Sequence, residues 1–439
     1  LNDSMVGGDG NDTMTVRNGD DNFNGQGGTG DRLIVDWTSA TLDSWSSWGP
    51  FGNSEGGYYG TIANTDGREV GFSQVEHFTF LGGSGNDAIT TYAGDDVFTM
   101  GEGNDFANVG SGVNDVDGGL GIDRIGVDYS AHTSGITLDL TQAGAQLLAG
   151  PGSVTGIEWV NSLTGSAFDD TVITLDLVLN DSMVGGDGND TMTVRNGDDN
   201  FNGQGGTGDR LIVDWTSSTV DSWTSWGPFG NAGGGYYGTF ANIDGREVGF
   251  NEVEHFTFLG GSGNDAIIAY AGDDVFSMGA GNDTASVGTG TNTVDGGDGI
   301  DNIVISFADA GMGVNLNLAA SGAQLVAGPG SVMGIEWTSG MTGSGFADTL
   351  VTTDVLRNDS FTAGAGNDVM IVRNGSDWFD GGAGFDTLYI DWSTATGTSY
   401  ISWGPFNNSE GGFYGTYANT DGGQVQFSQV ERIVFISGS

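Results

Sequence analysis

The chain has 439 residues and a formal net charge of -48; its ten cationic residues are all Arg, and it holds no Cys, five Pro and 83 Gly. Such acidity excludes nucleic acid and anionic membrane surfaces as electrostatic partners and makes cations the natural ones, while the lack of Cys excludes disulfides, thiol catalysis and thiolate metal sites. A hydrophobic share of 37% with 10% aromatics does not fit a solvated acidic tail, no apolar run is long enough for membrane insertion, and abundant Gly without a G-X-Y period predicts short strands joined by tight turns.

Along the chain the first feature is a repeat. Residues 1–39 recur unchanged at 179–217 and the pattern returns near Asn358, a period of 178. This predicts three repeats, 1–178, 179–356 and a partial 357–439. The first block reads "GGDGNDTMT" at 7–15, "VRNGDDNFN" at 16–24 and then "GQGGTGDRL", with one extra residue before Asp31. The third repeat lacks that insertion, so Asp359, Asp368, Asp377 and Asp386 are spaced by nine throughout. An aromatic segment, roughly 36–80, follows the first block and is copied in the later repeats. The second block, 82–126, reads "GGSGNDAIT", "TYAGDDVFT", "MGEGNDFAN", "VGSGVNDVD", "GGLGIDRIG" and recurs at 260–304. A plainer segment, roughly 127–163, completes the repeat. Both segments open on "VDW" or "VDY" and end on Val or Ile followed by Glu, and they read as two outgrowths on one scaffold.

The nonapeptide GGxGxDxUx, with U apolar, has a physical reading. Its first six positions suit a turn, because Gly permits positive φ and exposes carbonyl oxygens; its last three suit a short strand. If two strand-turn steps make one coil of a right-handed helix, turns 18 residues apart stack on the same edge. Carbonyls and the Asp of one turn then face those of the next. That makes an all-oxygen cage of the kind a hard cation such as Ca²⁺ prefers over zinc or copper. The expected pairs are Asp3 with Asp21, Asp12 with Asp31, Asp87 with Asp105, Asp96 with Asn114, and Asp105 with Asp123. The second repeat supplies Asp181, Asp190, Asp199, Asp209, Asp265, Asp274, Asp283, Asn292 and Asp301, and the third Asp359, Asp368, Asp377 and Asp386. Asn114 and Asn292 should give weaker sites. The same stacking predicts a core ladder of Ile89, Ala107 and Ile125 opposite Phe98 and Val116, repeated as Ile267, Ala285 and Ile303 opposite Phe276 and Val294.

About one buried side chain per nine residues, worth roughly 1.5–3 kcal/mol each, cannot offset a conformational entropy of about 1–2 kcal/mol per residue. Metal must supply much of the rest, and binding free energy becomes folding free energy. Since extracellular calcium modules bind at about 10⁻⁴–10⁻³ M, the coils should stay open at cytosolic calcium.

These residues resemble the repeat-in-toxin (RTX) family of secreted calcium-binding proteins. "GGSGNDAIT" and "GGLGIDRIG" fit its nonapeptide at every defined position, and the stretch from "DYSAHTSGITLDL" to "TGSAFDDTV" looks like the linker found between RTX blocks. The resemblance covers nearly the whole chain, with the aromatic segment its least typical part. It implies a parallel β-roll with Ca²⁺ between turns and export, unfolded, through a type I channel by an uncleaved C-terminal signal. The expected fold is therefore all-β, a right-handed parallel β-roll or β-helix solenoid with inserted β-hairpin outgrowths. The chain reads as a slice of a longer molecule, because "VFISGS" falls inside a third repeat.

Other features have plainer readings. Trp45, Trp48, Phe51, Tyr58 and Tyr59, with Trp223, Trp226, Phe229, Tyr236, Tyr237, Trp403 and Phe406 in the later repeats, either pack a hairpin against the roll or face outward as a contact surface. His77 and its copy His255 read as structural, His132 has no copy at 310, and Arg17 and Arg195 read as carboxylate partners. No Ser/His/Asp order recurs, so no catalytic residue is expected. Repetition of every distinctive feature favours a structural extracellular protein forming a cell-surface fibre, surface layer or matrix filament with copies of itself. The alternatives are an adhesin presenting its aromatic outgrowths to glycans or cells, and the non-catalytic calcium-binding region of a larger secreted enzyme or toxin.

Overall fold

The computed structural model describes residues 2–437 apart from Asn53, Glu55, Gly233 and Glu410. Among the described residues there is no helix; strands of two to nine residues alternate with turns from end to end. The chain divides into two compact units, residues 1–211 with 231–235 and 248–253, and residues 212–230 with 236–247 and 254–439.

In the first unit, strands that follow successive nonapeptide turns pair in parallel at a spacing of one coil. Ala88–Thr90, Phe106–Ser111, Arg124–Asp128 and Trp159–Thr164 align Ile89, Ala107, Ile125 and Val160 in register. On the other wall, His77–Leu81, Val97–Thr99, Asn114–Asp117 and Gly152–Thr155 align Phe80, Phe98, Val116 and Val154. All eight side chains are buried, so the large-against-small ladder expected from the repeat is present. The two-residue strand period explains this: the eighth position points inward while the seventh and ninth stay on the outer face. The core is wider than one side chain per nine residues, however. In Thr13–Val16 and Arg32–Asp36, Met14 pairs with Leu33 and Val16 with Val35, all buried.

The aromatic segment forms an antiparallel three-stranded excursion, Ser44–Gly52, Tyr58–Asn64 and Glu69–Val75. Its last strand is itself a rung of the roll, with Phe72 in register with Phe23 of Asp20–Gly27. The plainer segment is less of an outgrowth than the sequence suggested. Both its ends are rungs, and Thr137–Asp139 within it pairs in parallel with Thr171–Ile173 to found a new wall, backed by a short hairpin strand, Leu147–Ala149. Gln146 fastens this bend from inside: its buried amide donates to the Leu140 and Ile157 carbonyls and accepts the Ile157 N–H.

The second unit repeats these devices. Ile267, Ala285 and Ile303 stack in register, and Phe258, Phe276, Val294 and Val332 stack opposite. Leu316, Leu350, Met370, Leu388 and Ile433 continue one wall, and Met341, Phe361, Phe379 and Phe427 the other. Ser222–Gly230 with Tyr236–Asn242, and Ser399–Asn407 with Phe413–Asn419, form the aromatic hairpins.

Candidate metal centre

The glycines shape each turn. In Met100–Asp105, Gly101 and Gly103 take φ of 108° and 134°, and in Gly118–Asp123, Gly119 and Gly121 take 96° and 151°. Residues with a Cβ rarely adopt such angles. The backbone thereby coils tightly enough that the sixth residue, Asp, is carried into the interior at 2% exposure for Asp105 and 1% for Asp123.

The two carboxylate oxygens then have different fates. Oδ1 accepts the backbone N–H of the Asp one coil earlier: Asp105 from Asp87 and Asp123 from Asp105, each at 2.7 Å. The same bond joins Asp3 to Asp21 and Asp12 to Asp31, and Asp96 donates to the Asn114 amide oxygen at 3.0 Å. It recurs between Asp181 and Asp199, Asp190 and Asp209, Asp265 and Asp283, Asp274 and Asn292, Asp283 and Asp301, Asp359 and Asp377, and Asp368 and Asp386. Every residue of the expected columns is therefore brought into one. Oδ2 is instead buried without a hydrogen-bond partner on Asp12, Asp31, Asp87, Asp105, Asp123, Asp190, Asp199, Asp265, Asp283, Asp301, Asp359, Asp368 and Asp386. A buried carboxylate oxygen left unpaired is costly.

Beside each such oxygen is a space with more oxygen around it. A Cβ at Gly82 would collide with the Met100 carbonyl and press on Asp87 Oδ2; one at Gly260 would meet the Met278 carbonyl and Asp265 Oδ2. Among the described residues no cluster of three or more His, Cys, Asp or Glu side chains forms, so carbonyls must complete any donor set. Carboxylate plus carbonyl suits Ca²⁺, which takes about six to eight oxygens at roughly 2.3–2.6 Å, and suits zinc or copper poorly. The residues fit a resident calcium ion: Asp Oδ2 and the turn carbonyls would hold it, and it would supply the positive charge that the protein does not place there.

Electrostatics point the same way. Burial, with neighbouring carboxylates adding to it, raises the carboxyl groups of Asp87, Asp123, Asp265, Asp301 and Asp386 to about 6, those of Asp105, Asp181, Asp190, Asp283, Asp359 and Asp368 to about 7, and that of Asp199 to about 8. A nearby cation would reverse that shift.

Not every column member is alike. Asp96 Oδ2 accepts the Thr91 hydroxyl at 2.6 Å, so the protein already satisfies it. Asn114 and Asn292 are neutral, and their amide nitrogens donate to the Gly110 and Gly288 carbonyls.

Three groups escaped the sequence reading. Glu76, Glu158, Glu336 and Glu431 stand in for an Asp, accepting the N–H of Asp31, Asp123, Asp301 and Asp386 through Oε2; their signal was the Val/Ile-Glu pair that ends each segment. Asp170 and Asp348 close degenerate nonapeptides, "GSAFDDTVI" and "GSGFADTLV", with Ser and Phe at the second and fourth positions. There Ser166 donates both its N–H and its hydroxyl to Asp170, Ser344 does the same to Asp348, and both carboxylate oxygens are satisfied. Finally, the fifth-position Asn and Asp form an outer ladder: Asn86 accepts from Asn104, Asn104 from Ile122 and Asp95 from Val113.

The remaining candidates sit outside these cradles. His77 and His255 accept the N–H of Asp95 and Asp273 through Nδ1. Arg17 pairs with Asp36 at 2.9 Å, whereas Arg195 donates to the Thr174 carbonyl. Trp48, Phe51 and Tyr59 pack on one another at 5.2–5.6 Å with Trp48 56% exposed, and Tyr58 packs against Tyr92. Trp226, Phe229 and Tyr237 repeat the triad, as do Trp403, Phe406 and Tyr414. Trp45 and Trp223 are also exposed, and Tyr236 packs against Tyr270.

A family model described as the RTX calcium-binding nonapeptide repeat (4 copies) matches residues 1–30, 79–107, 179–208, 257–285 and 356–388. No curated protein matches the chain.

Proposed function

The chain is an RTX-family calcium-binding repeat protein, and from that premise we propose that it is a structural extracellular protein, a repeating component of a bacterial cell-surface fibre, surface layer or matrix filament that associates with copies of itself. The supporting observation is that the repeat carries geometry as well as letters. Ring separations in the three aromatic triads agree within 0.3 Å across repeats, running 5.2, 5.5 and 5.6 Å, then 5.2, 5.3 and 5.5 Å, then 5.1, 5.3 and 5.6 Å. Such a chain presents equivalent surfaces many times, which serves assembly or multivalent contact.

A non-catalytic role fits the polar clefts too. His132 lines a cavity with Asp95, Ser111, Val113, Tyr129 and Pro151, and in the equivalent cavity of the second repeat Ala310 stands in its place. Nothing chemical recurs there. Calcium at about 10⁻⁴–10⁻³ M would set the coils only outside the cell.

Exposure of Trp48, Trp226 and Trp403 at 56, 55 and 54% favours a second reading, an adhesin whose triads engage glycans. Negative-stain microscopy of the purified chain in calcium and in EGTA, paired with a glycan array, separates the two. Calcium-dependent filaments or sheets are expected. Dispersed particles with saturable glycan binding that is lost in Trp48→Ala/Trp226→Ala/Trp403→Ala would favour the adhesin, and dispersed particles without binding would overturn both.

A further inference from the structure

Each excursion rejoins the roll by the same three-residue device. Gln74, Gly156, Gly334 and Gln429 take left-handed φ of 53°, 62°, 64° and 52°. The next residue, Val75, Ile157, Ile335 or Val430, is fully buried. The third is the Glu that accepts the N–H of the preceding block's last Asp, at 2.9 Å for Glu76, 2.8 Å for Glu158 and 2.7 Å for Glu336 and Glu431.

The left-handed step is strained at Gln74 and Gln429, and strain of that kind persists where the surroundings impose it. Its effect is to turn a carbonyl inward. A Cβ at Gly25 would strike both the Gln74 carbonyl and Asp31 Oδ2; one at Gly381 would strike the Gln429 carbonyl and reach Asp386 Oδ2 at 2.7 Å. At Gly118 and Gly296 the pairs are the Gly156 carbonyl with Asp123 Oδ2 and the Gly334 carbonyl with Asp301 Oδ2. These four Asp residues are at most 1% exposed, and their Oδ2 atoms lack hydrogen-bond partners. A carbonyl and carboxylate converge likewise at Gly203, from Glu252 and Asp209.

Each junction thus joins an orphaned, fully buried carboxylate oxygen of the roll to a carbonyl of the returning excursion, with a second carboxylate, the Glu, alongside. We propose that these junctions are divalent-cation sites of mixed origin, in which Ca²⁺ ties the last Asp of a block to the left-handed carbonyl 33 to 43 residues later, so that the ion seats the excursion as well as the coil. This rests on the calcium reading of the Asp columns but adds to it, because one wall of the site comes from outside the nonapeptides. For the aromatic hairpins it makes presentation of the Trp triads calcium-dependent.

The test uses the full chain, hydrogen–deuterium exchange and calcium stoichiometry. Asp31→Asn and Asp386→Asn keep the Oδ1 acceptor and remove the charge. Each variant should bind one ion fewer than the parent. Asp31→Asn should lose calcium-dependent protection over residues 58–75, by about tenfold or more in exchange rate, while 97–126 and 413–430 keep it; Asp386→Asn should do the converse, loosening 413–430 alone. Should an Asn variant fail to fold, Gly25→Ala, which fills the same space and leaves both carboxylates, must also bind one ion fewer. An unchanged ion count, or hairpins that stay protected, overturns the proposal. Absence of calcium-dependent protection over 97–126 in the parent would instead overturn the calcium reading itself.

Discussion

The turn at Gly118–Asp123 and the turn at Gly165–Asp170 do the same mechanical work with different chemistry. Both bury an Asp to 1%, and both use its Oδ1 to hold the backbone of another rung, Asp105 in one case and Ile136 in the other. In the first, Gly119 and Gly121 wind the backbone so that no N–H reaches Oδ2. In the second, Ser166 closes on Asp170 with its own N–H at 2.5 Å and its hydroxyl at 3.0 Å. The difference teaches that the acidic column is not in itself a metal site. Glycines at the second and fourth positions create the electrostatic debt that a cation then settles.

The sharpest way to break this comparison is to remove the ion. In EGTA at neutral pH, circular dichroism should show the strand signal collapsing to coil and returning as calcium rises through the millimolar range, with Mg²⁺ a poor substitute because it demands tighter octahedral geometry. Strand signal retained in chelator would mean that the Gly turns are as self-sufficient as the Ser turns.

Acid comes next. With carboxyl groups raised to about 6 at Asp123 and Asp301, about 7 at Asp105 and Asp283 and about 8 at Asp199, the ion-free folded state binds more protons than the unfolded chain between about pH 4 and 8. Its stability is therefore greatest below the ordinary carboxylate range and is lost as pH rises through that window. Calcium must displace those protons, so its affinity moves the other way. In EGTA more strand should form at pH 5 than at pH 8, and in calcium titrations the midpoint should rise about tenfold per pH unit lost for each proton displaced. A midpoint flat from pH 8 to 6 would sink this account.

Replacing Asp105 and Asp123 together with Asn should cost about 1.4–2.7 kcal/mol for each ion lost at calcium ten to a hundred times Kd, as read from urea unfolding. The cost should grow with calcium concentration. Asp170→Asn should cost about 1–3 kcal/mol, because its new amide would face the Ser166 N–H, but that cost should not vary with calcium and the ion count should stay the same. Joint replacement of His77, Arg17 and Tyr59 by Ala should cost less than the Asp105/Asp123 pair. If the costs of the Asp170 and Asp105/Asp123 variants scale alike with calcium, the distinction between the turns is wrong.

The coil, its register and its core ladders were legible because period nine and period two are printed in the letters: Ile89, Ala107, Ile125 and Phe98, Val116 could be placed from spacing alone. The Asp columns were legible for the same reason. What escaped was whatever depends on backbone direction rather than side-chain type. Glu76 and Glu158 act as Asp surrogates because an extra methylene reaches across a left-handed step at Gln74 or Gly156, and nothing in "SQVE" announces a φ of 53°. Ser166 was hidden because Ser for Gly looks like mild decay of the repeat, although one N–H redirected at Asp170 removes an orphan oxygen. The plainer segment misled because its rungs, Gly152–Thr155 and Trp159–Thr164, lack nonapeptide letters while keeping the coil's spacing.

The smallest and most discriminating change would turn one kind of rung into the other. Ser166→Gly with Phe168→Gly makes residues 165–173 read GGAGDDTVI, which fits the nonapeptide at every defined position. Both new glycines can adopt the positive φ seen at Gly119 and Gly121, which would draw the N–H at 166 away from Asp170 and leave Oδ2 unpartnered. The variant should bind one more calcium ion than the parent by native mass spectrometry. It should be destabilised at low calcium, where an unpaired carboxylate and two added glycines both weigh against it, and should recover about 1.4 kcal/mol at ten times Kd. Were the stability loss to persist at saturating calcium with no ion gained, glycine placement would not be what makes a turn a metal site. The donor geometry would then have to come from the stacking of neighbouring coils, and Asp170 would differ from Asp123 by its place in the fold rather than by the two residues that precede it.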